Sequence, residues 1–395
     1  MSSSGPRPRA LHVTYSHYES DPRPRRQAEA LRDAGWRVTV VGLGRDGEPA
    51  RGELDGVRLI RRAIPRYRGA SVAGYLRAYA GFLAGAAAEA SSHPRRYDLV
   101  HVHSPPDFAV HAALPARLGG AGLILDIHDP GPELFRERFG ERRRALRRLA
   151  LLSERMACAA AGHVLTVNET CRRLHVDRGL DPGKISVNLN LPDEALFWRE
   201  EPLPPPERPV LAYHGTLVPR YGPDLVLEAA ALLLPRFPDL TVTILGDGDE
   251  RDALVGRAAR SDLEGRVRLS PERVPIHRVP EALGRVSAGV VANRPGEFSR
   301  LVLPTKLLEY LALGIPSVVT RTETVDRYFE PGELTLVDRP EPETLARALV
   351  PVLENPAEGR RWVERGRRFF RRHSWARERE TYVALADKLA RPGSR

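Results

Sequence analysis

Residues 301–318 read LVLPTKLLEYLALGIPSV, and the rest of the chain can be arranged around them. Pro304 suits the first turn of a helix, where a missing N–H costs nothing. Residues 305–313 are mostly good helix formers, with Leu307, Leu308, Leu311 and Ala312 on one side. Gly314 stops the helix, Pro316 cannot continue it, and residues 317–320 read as a buried strand. Thr305, Lys306 and Glu309 are three or four apart, so they share a face near the helix start. A helix N-terminus offers N–H groups and the positive end of a dipole, which suits a phosphate. Lys306 adds a cation there, and Glu309, one turn on, is placed to accept hydrogen bonds from ribose hydroxyls. The competing reading is a solvated Lys–Glu pair on a surface helix. It fits poorly, because the neighbours are almost all apolar. Of 61 Lys and Arg residues, moreover, only Lys184, Lys306 and Lys388 are lysine, so a compact ammonium here departs from a chain that otherwise uses guanidinium.

Working outward, the region before this helix alternates strand, turn and helix. Strands are predicted over 210–213, 240–245, 267–269 and 288–292, with the turn His214-Gly215-Thr216 after the first and a helix from about Pro223. This is a doubly wound pattern. Asp247-Gly248-Asp249 has the DxD wording of metal-assisted sugar transfer, but three residues match by chance often and a tight turn is the preferred reading. Residues 191–209 carry six prolines, the sharpest composition shift in the chain, and read as a linker over 192–209.

The first half repeats the pattern. Strands are predicted over 11–15, 38–42, 57–60, 98–103, 123–127, 164–167 and 185–188, and helices over 25–34, 75–89 and 106–118. No GxGxxG follows the first strand, so a plain dinucleotide site is not indicated. The loop there carries Tyr18, Asp21, Arg23 and Arg25, which read equally as an acceptor-side or phosphate-facing group and as a salt-bridged loop. His128 follows the strand 123–127, at the carboxyl end where open α/β sheets bind ligands. His101 and His103 share one face of their strand and can simply be packed. Residues 136–155 are dense in Arg with Phe139, Leu146, Leu149 and Leu152 interleaved, which suits an anionic membrane surface or a solvated helix on the sheet. Residues 362–389 form a long charged helical stretch, interrupted near Ser374, that is expected to cross back to the first half.

The length of 395 residues exceeds what one core usually serves, so two domains are expected, 1–191 and 210–372, with a C-terminal helical segment over 373–395. Cys158 and Cys171 make neither a disulfide framework nor a metal spacing, which suits a reducing, cytoplasmic setting. The N-terminus has no apolar signal region and no run is apolar enough to span a bilayer. A net charge of +10 suits acidic substrates or peripheral contact with an anionic inner membrane face. It does not bring a helix-turn-helix, zinc-finger or aromatic RNA-binding pattern with it, so no nucleic-acid partner is expected.

Six stretches in this order resemble the retaining glycosyltransferases of family 4: DPRPRRQAEAL (21–31), DLVHVH (98–103), LDIHDPGPELF (125–135), HGTLVPRYGPDLVLEAA (214–230), ILGDGDE (244–250) and PTKLLEYLALGIP (304–316). Together they cover nearly the whole chain. The resemblance implies the GT-B fold, two facing Rossmann-like domains with an interdomain cleft, and catalysis without a bound metal or cofactor. It implies a nucleotide-diphosphate sugar as donor and a glycan or lipid-linked acceptor. It implies the diphosphate at Pro304, Thr305 and Lys306 with Gly215, Thr216 and Arg220, the ribose at Glu309, the base near Arg273 and Val274, and the sugar near His128. The sequence departs from the family pattern at Leu301, where a Glu is usual, and Glu297 is the nearest substitute. It also departs at Thr216 and Tyr221, where Arg and Lys are usual; Arg220 and Lys306 can supply that charge. The rivals are a sugar-nucleotide epimerase of two Rossmann-like domains and a non-catalytic module that binds nucleotide sugar or a membrane surface.

Overall fold

The structure is a computed structural model that describes residues 7–64, 72–92, 95–139, 144–204, 206–272 and 274–390. The chain divides into two units, residues 1–190 with 376–395, and residues 191–375.

Unit 1 is built on eight strands: β1 (Arg9–Thr14), β2 (Arg37–Leu43), β3 (Arg51–Leu54), β4 (Val57–Arg62), β5 (Leu99–Ser104), β6 (Gly122–Ile127), β7 (His163–Thr166) and β8 (Ile185–Val187). They lie in the order β3-β4-β2-β1-β5-β6-β7-β8. All neighbours are parallel except β3 and β4, a hairpin at the edge that the periodicity did not reveal. The order reverses between β1 and β5, which is the switch point of this sheet. Leu11, Val13, Val100, Val102, Leu123, Leu125 and Ile127 alternate onto one face and join a continuous apolar core. The opposite face carries His12, His101, His103 and Asp126, all buried. The helix Trp375–Leu389 belongs to this unit from Ala376 on; its Glu378 accepts the Leu189 N–H at 2.9 Å and its Tyr382 is buried.

Unit 2 has β9 (Val210–His214), β10 (Thr241–Leu245), β11 (Val267–Leu269), β12 (Ala288–Val291), β13 (Ser317–Thr320) and β14 (Thr335–Val337), all parallel, in the order β11-β10-β9-β12-β13-β14. This is the doubly wound nucleotide-fold order, with its switch point between β9 and β12. The helix Thr305–Leu313 is anchored by Tyr310, whose hydroxyl donates to the Ala212 carbonyl at 3.0 Å and whose ring lies against Gly289. A side chain at 289 would meet that ring at 2.5 Å, so the glycine lets the helix dock close to the strand.

Several local expectations change. The first helix starts at Pro22 rather than at Arg25, because Pro is favoured in the first turn. The helix expected over 106–118 is a 3-10 segment, Asp107–Ala113, followed by a short α-helix, Leu114–Leu118. The basic stretch is two helices, Gly131–Phe139 and Arg144–Ala160; residues 140–143 and the side chains of Phe139 and Leu146 lie outside the described residues. The proline-rich stretch holds a one-turn helix, Glu194–Phe197, capped by Asp193. The charged C-terminal stretch is three helices, Pro356–Gly366, Arg368–Arg372 and Trp375–Leu389. Among the described residues no helix is long and apolar enough to cross a membrane.

Candidate functional site

In unit 2 the carboxyl end of β9 runs into Gly215, whose φ of +118° suits glycine and turns the chain over the start of helix Thr305–Leu313. Gly246 and Gly248, in the turn after β10, pack directly on the carbonyls of Gly215 and Leu217, so Asp247-Gly248-Asp249 forms part of a tight turn. The helix start is Pro304, and no side chain caps it. Lys306 is 8% exposed, and its ammonium makes no hydrogen bond. That ammonium lies 3.9 Å from the Tyr213 ring centre and 5.0 Å from the Tyr221 ring centre, both favourable faces for a cation. Burial pushes the Lys306 ammonium down to about 7, with Glu309 pulling the other way. A cation taken from water with no ion-pair partner in contact is costly, and such a group is a marker of a functional site.

Around Lys306 stand the remaining groups of this unit. Glu309 bonds through one carboxylate oxygen to Nε2 of His214, and Nδ1 of His214 is buried without a partner. The Arg220 guanidinium stacks on Tyr221 at 4.9 Å and on Phe298 at 5.4 Å. Gly222 follows in a left-handed conformation, and a Cβ there would meet the Ala292 carbonyl at 2.2 Å, which fixes this loop against the end of β12. Just beyond β12, Asn293 is buried with neither amide atom bonded, and at the end of β13 the Thr320 hydroxyl is likewise buried and unbonded. Thr216 is exposed beside Gly215, Thr305 opens the helix, and Val274 is half-buried; Arg273 lies outside the described residues. Glu297 is exposed in the turn that carries Phe298, and Leu301 is buried in the core, so it presents no polar group.

In unit 1 the parallel registers assemble a polar cluster. His12 pairs with His101 across β1 and β5, and His103 pairs with Asp126 across β5 and β6. Because alternate residues share a face, all four point the same way, and His128 follows on the same side just past β6. Asp126 accepts both Nε and an η-nitrogen of Arg23, at 2.9 and 2.7 Å, and the amide of Gln27 at 3.0 Å. Burial alone would raise the Asp126 carboxyl, but the Arg23 guanidinium together with His128, His101 and His103 outweighs it, and the group is held well below the usual carboxylate range. Burial pushes His12, His101 and His103 down, so these rings are neutral. His128 is the partly exposed member; its Nε2 lies 3.2 Å from His103 Nδ1 and 3.3 Å from Asp126 Oδ2.

His103, Asp126 and His128, or His12, His101 and His103, are close enough together to hold a metal ion. Arg23 already places a full positive charge on Asp126, however, and the nitrogen pairs lie at hydrogen-bond spacing, so the cluster reads as a hydrogen-bonded row. Of the loop residues, Arg23 is the one that enters this cluster. Arg25 is held by Glu29 at 2.8 Å and Asp55 at 2.9 Å, Asp21 precedes the first helix, and Tyr18 is buried with its hydroxyl unbonded. Sequence reasoning missed His12, Asp126 and Tyr382 here, and Tyr213, His214 and Asn293 in unit 2. An uncommon polar residue inside an apolar strand, as at His12 and Asp126, is the signal that was available.

Two family models match, a glycosyl transferase 4-like domain over residues 21–190 and glycosyl transferases group 1 over residues 195–369. The chain belongs to the family 4 glycosyltransferases. Within that family it is 28% identical over 239 residues to phosphatidyl-myo-inositol mannosyltransferase of Mycobacterium tuberculosis, a match that spans 58% of this chain and 61% of that relative's length. It is 25% identical to D-inositol 3-phosphate glycosyltransferase of Corynebacterium urealyticum, across 92% of this chain and 89% of the relative. Among solved structures it resembles sucrose-phosphate synthase of Thermosynechococcus elongatus, with a TM-score of 0.77 at 17% identity over 97% of this chain and 99% of the other. It also resembles Anabaena HepE in complex with UDP-glucose, with a TM-score of 0.69 at 16% identity over 96% and 100%. These likenesses are of fold, the GT-B fold of two Rossmann-like domains.

Proposed function

We propose that the chain transfers a sugar from a nucleotide-diphosphate sugar to an acceptor hydroxyl, with retention and without a metal. The observation that carries this reading is Lys306, a buried ammonium with no hydrogen-bond or ion-pair partner among the described residues, at the uncapped start of a helix beside the switch point of unit 2. A diphosphate supplies what the group lacks. As the glycosidic C–O bond breaks, its electron pair goes to the diphosphate, and preorganised donors aimed at that charge lower the barrier. Lys306 and Arg220 are assigned this role with backbone N–H groups near Thr216 and Thr305. Glu309 accepts from the ribose, His128 meets the sugar, and Glu297 stands in for the Glu that Leu301 replaces. The acceptor oxygen forms the new bond, and its proton leaves with the diphosphate. A lipid-linked acceptor at an anionic membrane face is supported by the helix Arg144–Ala160, where Leu149, Leu152 and Met156 are exposed beside exposed Arg148 and Arg155. Relatives that include a phosphatidyl-myo-inositol mannosyltransferase support the same acceptor class.

The test is a screen of UDP-, GDP- and ADP-sugars by thermal stabilisation, followed by product analysis with and without acceptor. Stabilisation by one donor, with transfer that collapses in a folded Lys306→Ala variant, is the expected result. Full turnover in that variant refutes the assignment of Lys306. Acceptor-independent conversion of the donor sugar favours an epimerase, and binding without turnover favours a non-catalytic module.

A further inference from the structure

Behind His128 the hydrogen bonds continue into the core of unit 1. His103 Nε2 lies 3.1 Å from His12 Nδ1, and His12 Nε2 lies 3.4 Å from the Tyr382 hydroxyl. The same hydroxyl lies 2.8 Å from His101 Nδ1. All four of these residues are buried, so water does not compete for the bonds. A neutral imidazole has one N–H and one bare nitrogen, so in a row joined nitrogen to nitrogen every donor must meet a bare partner. Two settings satisfy the whole row and also use the Tyr382 hydroxyl proton within it. In one, His101, His12, His103 and His128 all carry the proton on Nε2, and Tyr382 donates to His101 and accepts from His12. In the other, all four carry it on Nδ1 and the tyrosine bonds reverse.

Asp126 distinguishes the two. Its Oδ2 lies 3.3 Å from His128 Nε2, 3.7 Å from His101 Nε2 and 3.6 Å from His103 Nδ1. In the first setting two N–H groups, the closest included, face the carboxylate and one lone pair does. The second setting aims two lone pairs at it, and the closest of them stands 3.3 Å from an anion. Arg23 keeps that carboxylate ionised, so the first setting is favoured on electrostatic grounds.

We propose that Tyr382, His12 and His103 are positioning residues that, with Asp126, lock His128 in the tautomer with a proton on Nε2 and a bare Nδ1. His128 then meets its ligand as a hydrogen-bond acceptor, so the ligand group it takes is a donor, a hydroxyl on the transferase reading. Among the described residues Nδ1 of His128 has no hydrogen-bond partner, which leaves it open for that contact. The identity of the hydroxyl as one on the sugar rests on the transferase reading; the tautomer does not. The helix Trp375–Leu389 thereby reaches the site through a single hydroxyl.

The test is long-range proton–nitrogen correlation spectroscopy of the full chain labelled with 15N-histidine, at neutral pH and with no nucleotide present. In the wild type, His12, His101, His103 and His128 are each expected as one tautomer, protonated on Nε2. Tyr382→Phe removes the acceptor of the His12 N–H, and His12, His103 and His128 pass to a mixture of both tautomers. His103→Gln, whose amide both accepts from His128 and donates to His12, keeps His128 in the wild-type form, while His103→Leu does not. Protonation of wild-type His128 on Nδ1, or rings that ignore loss of the Tyr382 hydroxyl and of the His103 acceptor, overturns the proposal. Failure of the transferase reading shows separately, as absence of binding to any of the three nucleotide-sugar classes.

Discussion

Lys306→Met should make the protein more stable and worse at binding nucleotide, and the size of both effects follows from the site. Met keeps the length and apolar stem of lysine but removes the charge. The fall of the ammonium from its ordinary 10.5 to about 7 corresponds to about 5 kcal/mol held against the charged form. That cost is present in full below pH 7, and removing the charge recovers it less whatever the cation–π contact with the Tyr213 ring, 3.9 Å away, contributes. Between pH 7 and 10.5 the unfolded chain holds a proton on Lys306 that the folded chain has lost. Wild-type stability therefore rises with pH across that window, and the advantage of Lys306→Met shrinks as it does. Ligand affinity moves the opposite way. Losing one charge-assisted contact to a diphosphate costs up to about 3 kcal/mol, roughly a hundredfold in Kd. A nucleoside diphosphate at a hundred times its wild-type Kd stabilises the wild type by about 2.7 kcal/mol and the variant by less than about 1 kcal/mol. Denaturant unfolding at pH 6.5 and 9.5, with and without UDP, GDP or ADP, measures both. The reasoning is refuted by a variant that is less stable at pH 6.5, by an advantage that does not change with pH, or by an undiminished nucleotide effect.

Three further outcomes are expected. Binding of a nucleoside diphosphate takes up a proton at pH 8, because the new anion restores the Lys306 ammonium; calorimetry in buffers of different ionisation enthalpy reads this as a buffer-dependent heat. Arg23→Leu leaves Asp126 buried and unpaired and lowers stability by about 3–5 kcal/mol at neutral pH, seen as a shifted denaturation midpoint; because the folded Asp126 carboxyl is depressed, the stability that the pair supplies is present above the ordinary carboxylate range and lost as pH falls below it. Replacing Leu149, Leu152 and Met156 together by Ser leaves the fold intact, since all three are exposed, but reduces sedimentation with anionic phospholipid vesicles by more than tenfold, each apolar side chain being worth about 1.5–3 kcal/mol on full burial. Unchanged sedimentation would remove that helix from any membrane role.

The parts of the fold legible in the sequence are those set by local chemistry. Pro304 and Gly314 bound a helix because one lacks an N–H and the other tolerates a left-handed backbone, and the helix Thr305–Leu313 begins and ends there. The candidate site was legible only in part, because its decisive property is a partner that is missing or distant. A sequence shows that Lys306 and Glu309 are near each other; it does not show that Glu309 bonds to His214, while the ammonium has no hydrogen-bond partner among the described residues. Nor does alternation within β5 reveal His12 or Asp126 beside it, since that depends on the register between strands. Arg23 meets Asp126, and Tyr382 meets His101, across separations that only the folded sheet closes.

The two units treat buried charge in opposite ways, and this bears on which ligand group each can take. Unit 1 buries an anion, Asp126, but matches it with Arg23, and the buried rings of His12, His101 and His103 beside it are neutral imidazole. Bringing a diphosphate there would add negative charge next to a carboxylate already satisfied. Unit 2 buries a cation that has no hydrogen-bond or ion-pair partner among the described residues, beside a helix start that no side chain caps. An anion gains most in unit 2. A neutral polyol loses least in unit 1, where its hydroxyls find hydrogen-bonding nitrogen without having to desolvate an unpaired ion. On the proposed transferase reading, a phosphate is the group matched to Lys306 and a sugar hydroxyl the group matched to His128. A ligand of one kind alone, a free nucleotide or a free sugar, should therefore respond to substitutions in one unit and be indifferent to those in the other.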